Sequence, residues 1–476
     1  MPGNPKISIL VPVYNEAEYL PALMARLLEV PLWKEVSMEI VAVDDGSSDG
    51  SAEALEELGR LYADVMRVVR HRRNRGKGAA VRTAIEHATG EFAVIQDSDL
   101  EYNPQDLARV LAPLLEGYAD AVFGSRFASC GERRVMYFWH SVANHFLTTV
   151  GNAVADLNLT DMETGYKAFR LSLVRSIPLR SNGFGLDPEL TVKLGQRGAA
   201  LYEVPISYRG RTYEEGKKIG VWDAVGALGA VLWYGLRRDI YRDRGARMLD
   251  TLSQTPRFNR WMADTIRPWI GARVLEIGAG MGNLTQHLAA RRESYIASDI
   301  DAEHMARLRV RFQQRPNVKV LRCDLSAAAD FTALAGRADT VICLNVLEHI
   351  EDDAAGLANI AGALAPGGAA IVLVPQDQGL FGTLDAELGH FRRYSAGELR
   401  AKMEAAGLSV ERIIEFNRVT RPGWWLTGRV FRRRQTNRTA LRMLDRLVWI
   451  WRRIDRALPW KAVSVIGIGR KHGSGV

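Results

Sequence analysis

Cysteine is scarce in this sequence, with three residues among 476 and no Cys-x-x-Cys pair. Three cysteines cannot build a disulfide framework, and the missing pairs exclude the common zinc-binding patterns. We therefore expect a reducing, cytoplasmic location for the chain.

Long apolar runs are missing as well. The most apolar helix candidate, residues 224–236, has 13 residues, whereas a helix needs about 20 to cross a bilayer. We therefore expect no membrane-spanning segment, although attachment to a membrane surface stays open. The first predicted strand is also not followed by G-x-G-x-x-G, so the N-terminal half lacks a dinucleotide-binding fingerprint.

The sequence does contain two series of alternating strands and helices, which indicates an α/β fold class. Apolar runs such as KISILVPVY and MEIVAVDD alternate with helix-length segments over residues 6–126, a pattern typical of a parallel sheet covered on both faces. A second series runs from ARVLEIGAG to AAIVLVPQ. Neither half repeats the motifs of the other, so we interpret the chain as a fusion. The predicted domains are 1–242 and 261–415, joined by a linker at 243–260 and followed by a basic amphipathic helical tail at 416–476.

Acidic residues follow the predicted strands at the edge where open α/β sheets bind ligands. Glu16 and Asp45 follow the first two strands, and Asp97, Asp99 and Glu101 follow the fourth at every second position. Three carboxylates spaced in this way on a strand end repel one another unless a cation lies among them. Hard oxygen ligands favour Mg²⁺ or Mn²⁺, ions that commonly bridge phosphates. The pattern therefore predicts a donor substrate with a diphosphate.

The N-terminal half resembles glycosyltransferase family 2, in particular its dolichol-phosphate mannose synthase-like branch. The resemblance covers about residues 5–240 and includes VPVYNE, DDGSSDG, NRGKGAAVRTA, QDSDLEY, FGSRF, LTDMETGYKAFR, FGLDPELTVKL and EVPISYRGRTYEEGKKIGVWDA, in that order. A chance match to one such motif is plausible, but eight in order are not. The resemblance implies a GT-A fold, a nucleotide-sugar donor, a divalent metal and a polyprenyl-phosphate acceptor.

The same resemblance assigns roles to residues of this sequence. The base and ribose of the donor would be held by Pro12, Tyr14, Glu16 and Asp45. The metal and the donor phosphates would be surrounded by Asp97, Asp99 and Glu101. Phosphates would also be bound by Arg126, Arg211 and Lys217 or Lys218, although a solvated basic loop is the alternative for the last three. Asp99 and Arg126 are the predicted catalytic residues.

The implied sugar transfer needs no general base. A phosphate monoester has a second pKa of about 6, so a lipid phosphate is mostly dianionic at neutral pH. It can attack the anomeric carbon of the sugar directly, while the metal and arginines stabilise the departing nucleoside diphosphate. The resemblance implies inversion at the anomeric centre.

The C-terminal half begins with a glycine-rich turn. Glu276, Gly278 and Gly280 follow the strand RVLEI, and Asp299 ends the next strand about 20 residues later, where it can accept bonds from ribose hydroxyls. This turn alone is also compatible with NAD. The later motifs CDL, LNVLEHIED and LAPGG come in the order found in class I S-adenosylmethionine methyltransferases, so residues 255–410 resemble that family and its small-molecule O-methyltransferases.

The methyltransferase resemblance implies a Rossmann-like domain and a binding site for S-adenosylmethionine. Glu276, Gly278 and Gly280 would line its methionine end, and Asp299 would bind the ribose. Three further residues have implied positions: Asp324 at the adenine amine, Asn345 beside the sulfonium, and His390 at the methyl acceptor. His390 is a candidate general base because the pKa of imidazole lies near neutrality, and a structural histidine is the alternative. We interpret Glu348 and His349 as helix-start residues that flank the cofactor.

Positive charge is concentrated in the C-terminal tail. Residues 418–471 hold 15 Lys and Arg residues against two Asp, so this segment is +13 while the whole chain is +8. An apolar stripe over 439–458 and five tryptophans predict a helix that lies on an anionic membrane, with a helix packed on the methyltransferase domain as the alternative. Residues 221–241 are predicted to do the same, with a core helix as the alternative. RNA would satisfy the charge but does not need the apolar stripe, so no nucleic-acid partner is expected.

The sequence thus predicts a bifunctional enzyme attached peripherally to the cytoplasmic face of a membrane. It would glycosylate a polyprenyl phosphate with Mg²⁺ or Mn²⁺ and would methylate a related product or small molecule with S-adenosylmethionine. One alternative makes the C-terminal half a regulator that binds S-adenosylmethionine without catalysis. A nucleic-acid base methyltransferase is disfavoured, because LNVLEH stands where those enzymes carry Asn/Asp-Pro-Pro-aromatic residues. The sugar, the methyl acceptor and the oligomeric state stay open.

Overall fold

The computed structural model describes residues 4–128, 135, 137–210, 221–237, 239–242, 255–430 and 438–472. The chain divides into two compact units, Met1–Arg242 and Asp243–Val476. Each unit has its own sheet, and the division falls between the two α/β series seen in the sequence.

The first unit is built on a sheet of seven described strands, whose short apolar segments are largely buried. These strands are β1 (Lys6–Val13), β2 (Ser37–Asp44), β3 (Met66–Arg70), β4 (Phe92–Ile95), β5 (Ala121–Ser125), β6 (Lys167–Arg170) and β7 (Leu201–Pro205). The α-helices are α1 (Leu20–Leu28), α2 (Ser51–Leu61), α3 (Lys77–His87), α4 (Leu107–Leu115), α5 (Phe138–Ala155), α6 (Leu171–Ser176), α7 (Leu186–Arg197) and α8 (Val221–Leu236).

The strand order of the first sheet is β3-β2-β1-β4-β6-β5-β7, and β6 runs antiparallel to both of its neighbours. Side chains of β1 alternate between two core layers. Ile9 packs with residues of α1 and α4, whereas Leu10 packs with residues of α3 and α7. The predicted α/β sheet with helices on both faces is confirmed, and the carboxyl ends of β1, β2 and β4 meet at one edge.

The second unit also contains a sheet of seven described strands. They are β8 (Arg273–Ile277), β9 (Ser294–Asp299), β10 (Val318–Arg322), β11 (Ala338–Leu344), β12 (Leu364–Pro375), β13 (Leu408–Phe416) and β14 (Ser464–Lys471). The α-helices are α9 (Pro256–Ile266), α10 (Thr285–Leu288), α11 (Ala302–Phe312), α12 (Ala328–Phe331), α13 (Asp353–Ala363), α14 (Thr383–Leu388), α15 (Ala396–Ala405), α16 (Arg421–Trp425), α17 (Arg438–Arg446) and α18 (Val448–Ile454).

The strand order of the second sheet is β10-β9-β8-β11-β12-β14-β13. Strands β8 to β12 are parallel, and β14 is antiparallel to β12 and β13. The chain order reverses direction between β8 and β11, which lie side by side. In open α/β sheets this switch point opens a crevice for ligands at the carboxyl ends of the strands.

The C-terminal segment belongs to the second sheet, so the predicted domain end at residue 415 is too early. β14 lies between β12 and β13, with Ser464 opposite Pro375 and Arg470 opposite Ala369. The sequence reading missed this strand because the basic helical segment separates it from β13. The domain start also differs, because α9 begins inside the predicted linker and packs in the core.

Part of the apolar stripe predicted over 439–458 packs on the core of the second unit. The segment forms two helices, α17 and α18, and Val448 and Trp451 pack on the cluster that contains Trp261 and Phe416. Ile454 of the same stripe is exposed, so the packed helix describes part of the segment, and its contact with a membrane stays a prediction. The large apolar side chains that this segment exposes are Met443, Leu447, Trp449 and Ile454.

One face of helix α8 packs in the core of the first unit, and another face carries exposed apolar side chains. Val231 and Tyr234 pack with Leu147 of α5 and Val192 of α7. Trp233, by contrast, is 52% exposed. The core-helix alternative for residues 221–241 therefore describes one face of the helix, and the contact of the exposed face with a membrane stays a prediction. No helix within the described residues is long and apolar enough to span a membrane.

Candidate active sites

The first site lies at the carboxyl edge of the first sheet, where the loops after β1 and β2 interlock. The Asn15 backbone N–H donates to Ser47 Oγ at 3.0 Å, and the Ser48 N–H donates to Asn15 Oδ1 at 2.9 Å. The Glu16 N–H donates to Ser51 Oγ at 2.9 Å. Asn15 has a φ of 54°, a left-handed conformation that asparagine adopts more readily than most residues. These bonds fix the shape of the loop that carries the VPVYNE motif.

The four residues predicted to hold the base and ribose lie around this edge. Pro12 is buried within β1, and Tyr14 directly after the strand is 41% exposed. Glu16 is half-buried, and Asp45 is buried at the end of β2. The structure brings all four to the same edge, while their contacts with a nucleotide stay a prediction.

Asp45 has protein partners that the sequence did not reveal. His71 Nδ1 lies 2.6 Å from Asp45 Oδ1. The backbone N–H groups of Arg75 and Gly76 donate to the same carboxylate at 2.7 to 3.1 Å. These bonds tie the end of β2 to the NRGKGAA motif. Asp45 therefore fixes the arrangement of these two loops. A ribose hydroxyl bound there would donate to a carboxylate that already accepts hydrogen bonds from the protein.

The acids after β4 do not converge in the way that their spacing predicted. β4 ends at Ile95, and residues 97–101 form a turn in which Leu100 has a φ of 61°. Side chains alternate between two faces only in an extended strand. The spacing of these three acids at every second position therefore does not place their carboxylates on one side of the chain. Asp97, Asp99 and Glu101 are all described, yet they are not a group with ligand atoms within 4.8 Å of one another.

Glu101 and Asp97, two acids of this turn, each contact a side chain from elsewhere in the unit. Tyr208 Oη donates to Glu101 Oε2 at 2.7 Å, and Lys77 Nζ lies 2.7 Å from Asp97 Oδ1. Burial opposes the charge of Lys77, but Asp97 and other nearby carboxylates outweigh it and raise the pKa of this ammonium. A Cβ on Gly165 would lie 2.3 Å from Asp97 Oδ2. Lys77 is thus a site residue that the sequence analysis missed, although it lies in a motif quoted there.

Arg126 is held by a buried carboxylate. Its Nε and Nη2 donate to the two oxygens of Asp161 at 2.7 and 2.8 Å, and its guanidinium lies 5.2 Å from the centre of the Tyr208 ring. Burial opposes the charge, but Asp161 outweighs it and raises the pKa of Arg126. Asp161 therefore orients the guanidinium, and the N–H groups left for the predicted phosphate contact are the two of Nη1 and the second one of Nη2.

Glu163 is a further titratable group of this site that the sequence analysis did not single out. Its Oε1 is enclosed without a hydrogen-bond partner among the described residues. Burial, together with Asp187, raises the pKa of Glu163 to about 7, against the opposing effect of Lys167. Lys167 Nζ itself pairs with Asp187 Oδ1 at 2.6 Å.

We expect Glu163→Gln to stabilise the first unit at pH 8. The folded pKa of about 7 exceeds the ordinary value of 4.5, so the folded state loses stability as the pH rises between these values. The neutral amide avoids this cost, which we place at about 1–3 kcal/mol, and the melting temperature should rise by several degrees. The gain should vanish near pH 4.5.

Thermal unfolding of the wild type and the variant from pH 4.5 to 8 tests this expectation. Glu116→Gln is a matched control, because Glu116 is exposed in the same unit. An equal difference in melting temperature at both ends of the pH range would show that Glu163 does not titrate in this way.

Three predicted phosphate-binding residues lie outside the described residues. They are Arg211, Lys217 and Lys218.

The second site lies at the switch point of the second sheet. Gly278 and Gly280, in the turn after β8, have φ values of 70° and 56°. A Cβ on Gly278 would lie 2.2 Å from Val346 Cγ2 after β11, so only glycine fits there. The Gly280 N–H donates to Asp299 Oδ2 at 2.8 Å. The turn is therefore anchored to the end of β9.

Asp299 is held in its charged form. Its Oδ1 accepts from the Asp301 N–H at 3.0 Å and lies 3.2 Å from His304 Nδ1. Burial favours protonation, but His304 and these backbone donors outweigh it and lower the pKa of Asp299. A charged carboxylate at this strand end suits the predicted contact with ribose hydroxyls.

Glu276 is buried and has protein partners. Thr285 and Tyr295 donate their hydroxyls to Glu276 Oε2 at 2.6 and 2.9 Å. Burial raises the pKa of this carboxyl, against the effect of the two hydroxyls. Glu276 therefore ties β8 to α10 and β9, while its predicted place at the methionine end of the cofactor stays a prediction.

Asp324 and Asn345 lie at the ends of β10 and β11. Asp324 Oδ1 accepts from the Ser326 N–H at 2.9 Å and from its hydroxyl at 2.6 Å. Asn345 is exposed with a φ of 55°, and its N–H donates to the Leu373 carbonyl at 2.9 Å. The four strand ends thus bring Gly278, Asp299, Asp324 and Asn345 to one edge, while their cofactor contacts stay predictions.

A cluster of titratable groups lies beside this edge. His390 Nδ1 is 3.0 Å from Asp385 Oδ1, which also accepts from Arg393 Nε at 2.8 Å. His390 Nε2 is 3.9 Å from Glu348 Oε1, and the His349 and His390 ring centres are 4.8 Å apart. Burial raises the pKa of Glu348 to about 8, against its own backbone N–H and Arg393.

The sequence analysis interprets Glu348 and His349 as helix-start residues. In the structure both lie in a single 3-10 turn, Leu347–His349. Their proximity to His390 was missed, because the three residues are separated by α13 and β12 along the chain. No sequence spacing signals such a contact.

Two family models match the chain. Residues 8–177 match the model for glycosyl transferase family 2, and residues 275–370 match that for a methyltransferase domain. These matches agree with the resemblances drawn from motifs, and they confirm a GT-A-like fold for the first unit and a methyltransferase-like fold for the second.

Three curated relatives match the N-terminal half. Glycosyltransferase AglJ of Haloferax volcanii is 32% identical over 209 residues, 44% of this chain and 64% of the relative. A dolichol-phosphate mannosyltransferase of Pyrococcus furiosus is 28% identical over 220 residues, 45% of this chain and 60% of the relative. A polyprenol monophosphomannose synthase of Mycolicibacterium smegmatis is 28% identical over 243 residues, 50% of this chain and 89% of the relative. The chain thus spans less than two thirds of the first two relatives.

Proposed function

Because the chain carries a glycosyltransferase family 2 domain followed by a methyltransferase domain, we propose that it is a bifunctional enzyme. The first unit transfers a sugar from a nucleotide-diphosphate donor to a polyprenyl phosphate. The second unit methylates a related glycan, lipid or small molecule with S-adenosylmethionine. The observation that carries the first activity is the acidic turn of Asp97 and Asp99 beside Lys77 at the ligand-binding edge of the sheet. The names of two relatives support a polyprenyl-phosphate acceptor.

The residues of the first site fit a divalent metal and a diphosphate. Asp97 and Asp99 would hold Mg²⁺ or Mn²⁺ through hard carboxylate oxygens, and the bound ion would neutralise charge on the departing nucleoside diphosphate. Lys77 beside Asp97 and the oriented guanidinium of Arg126 add positive charge for the phosphates. The dianionic acceptor phosphate is the nucleophile, so no residue is needed to remove its proton.

The acceptor lipid suits the exposed apolar side chains of α5 and α8, two helices that pack on one another in the first unit. Trp139 is 75% exposed on α5 and Trp233 is 52% exposed on α8, and Phe138, Phe146 and Leu232 are exposed as well. Exposed aromatic side chains are typical of helices that lie in a membrane interface. The exposed apolar side chains of these two helices, and not the tail stripe, are the proposed membrane contact at the cytoplasmic side.

We expect Trp139→Glu combined with Trp233→Glu to release the protein from membranes. Each exposed aromatic side chain loses about 1.5–3 kcal/mol of burial in the interface, so binding should fall at least tenfold. Flotation with vesicles of phosphatidylglycerol and phosphatidylcholine measures this binding.

Trp449→Glu is the matched control, because Trp449 is an exposed tryptophan of the basic tail. Release by Trp449→Glu alone, with the double variant floating normally, would place the membrane contact on the tail. Truncation after Glu415 is unsuitable for this test, because it would delete β14 from the second sheet.

The second site fits S-adenosylmethionine, and the anchored glycine turn is the observation that carries this proposal. Gly278 lets the turn after β8 pack closely against Val346 in the loop after β11, and the charged carboxylate of Asp299 would bind the ribose beside this turn. The cofactor supplies an electrophilic methyl group when bound. His390 and Asp385 lie beside this edge, where an acceptor hydroxyl would lose its proton.

Mass spectrometry tests both activities in the full chain. The protein is incubated with candidate nucleotide sugars, mixed polyprenyl phosphates and S-adenosylmethionine, and the lipid fraction is analysed for sugar and methyl mass increments. Sugar transfer without any methyl increment, despite S-adenosylmethionine binding, would favour the regulatory role for the second unit. No sugar increment with any donor would reject the proposed glycosyltransferase activity.

A further inference from the structure

We propose that Glu348, His349 and His390 form a binding site for a divalent transition-metal ion in the second unit. Their candidate ligand atoms all lie within 4.8 Å of one another, and no other group of three acidic, histidine or cysteine side chains in the described part of the chain does so. Two imidazoles and one carboxylate, with positions left open, form a donor set that proteins use for Zn²⁺ and Fe²⁺.

The side chain of Glu348 is the strongest argument for a cation at this site. It is completely buried, and neither carboxyl oxygen has a hydrogen-bond partner among the described residues. A buried polar group without a hydrogen-bond partner is costly, and a cation bound between these ligands would remove that cost. Arg393 donates no hydrogen bond to Glu348, because its Nε and Nη2 donate to Asp385 and its Nη1 donates to the Gln376 carbonyl.

The two histidines are already oriented as metal ligands. Asp385 Oδ1 lies 3.0 Å from His390 Nδ1, so a proton on Nδ1 leaves the lone pair of Nε2 directed toward Glu348. The Gly389 carbonyl contacts the imidazole of His349. Ligating histidines nearly always donate their second ring N–H to a carboxylate or a carbonyl in this way. Both outer contacts are therefore present.

The position of the cluster gives the ion a chemical role that rests on the proposed methyltransferase function. Glu348 and His349 follow Asn345 in the loop after β11, at the edge where the cofactor is proposed to bind. A divalent cation there would bind the acceptor hydroxyl and lower its pKa. The hydroxyl proton passes to water, the oxygen–methyl bond forms, and the methyl–sulfur bond breaks to leave a neutral thioether. His390 then serves as a ligand instead of the predicted general base.

Cobalt titration of the full chain tests the site without any need for activity. Co²⁺ bound by imidazoles at low coordination number absorbs visible light far more strongly than Co²⁺ in an oxygen-ligated octahedral site, which separates this site from the first unit. Wild type should bind one equivalent with the intense band. Glu348→Gln and His349→Ala should weaken that binding by at least about tenfold. His349 is exposed, so its variant should fold.

His472→Ala is the control, because it removes a distant histidine of the same unit, and its cobalt band should match the wild type. Absence of the intense band from the wild type would overturn the proposal. An unchanged band in both Glu348→Gln and His349→Ala would also overturn it. If His390→Ala loses methylation but keeps the intense cobalt band, the proposal is also overturned. His390 would then be a general base and not a metal ligand. S-adenosylmethionine binding is measured in the same samples, so a failure of the proposed methyltransferase function is recognised separately.

Discussion

Asp99→Ala is expected to lower sugar transfer by at least about 10³-fold. The substitution removes one of the two carboxylates proposed to hold the metal, and a metal that stabilises a departing phosphate contributes several kcal/mol to the transition state. Each 1.36 kcal/mol changes the rate about tenfold. The measurement is the initial rate of sugar incorporation into polyprenyl phosphate at saturating donor. S-adenosylmethionine binding should be unchanged, because the second unit has its own sheet.

Asp64→Ala is the matched control for this variant. Asp64 is an exposed acid of the same unit, in the turn between α2 and β3, and its loss should leave the rate unchanged. Chelation of the wild type by EDTA should reproduce the effect of Asp99→Ala. Sugar transfer at the normal rate in Asp99→Ala, or in the chelated wild type, would reject the proposed metal site.

Asp299→Ala is expected to weaken S-adenosylmethionine binding by about 1–3 kcal/mol, the range of a lost charge-assisted hydrogen bond. This corresponds to a rise in Kd of roughly 5- to 150-fold. The structure adds a second reason for the loss, because Asp299 also anchors the Gly280 N–H of the glycine turn. Titration calorimetry with the full chain measures the Kd.

Glu293→Ala controls for the loss of an acid near β9. Glu293 is exposed just before the strand, at the edge opposite Asp299, and its variant should bind S-adenosylmethionine normally. Sugar transfer should be normal in both variants. Undiminished affinity in Asp299→Ala would mean that another acid contacts the ribose.

The motifs of the sequence predict both candidate sites but not the contacts within them. Strand ends were recognised from short apolar runs, and parallel strands place their carboxyl ends at a common edge, so Asp45, Asp97 and Asp299 could be assigned to sites in advance. Lys77 and His71 were missed, because their pairing with Asp97 and Asp45 crosses between separate strand–helix units. Such contacts depend on loop conformation, which residue spacing does not encode.

The triad Asp97, Asp99 and Glu101 shows where a local pattern stops being informative. Its convergence is predicted by continuing strand alternation beyond Ile95, where the chain turns instead. The contacts of Glu276 with Thr285 and Tyr295 are likewise absent from the sequence pattern. In both places neighbouring elements determine what the side chain contacts.

The sequence by itself determined the two α/β units, their order, and the residues at the ends of their strands, because hydrophobic periodicity and motif order are local properties. Only the tertiary structure decided which face of each amphipathic helix is covered. Val448 and Trp451 of the tail stripe pack on the second unit while Ile454 stays exposed, and α5 and α8 leave Trp139 and Trp233 exposed. Tertiary packing also inserted β14 between β12 and β13 and gathered Glu348, His349 and His390 from distant segments. The physical reason is that burial and pairing depend on what lies opposite each element, and that neighbour is fixed only when the whole chain has folded.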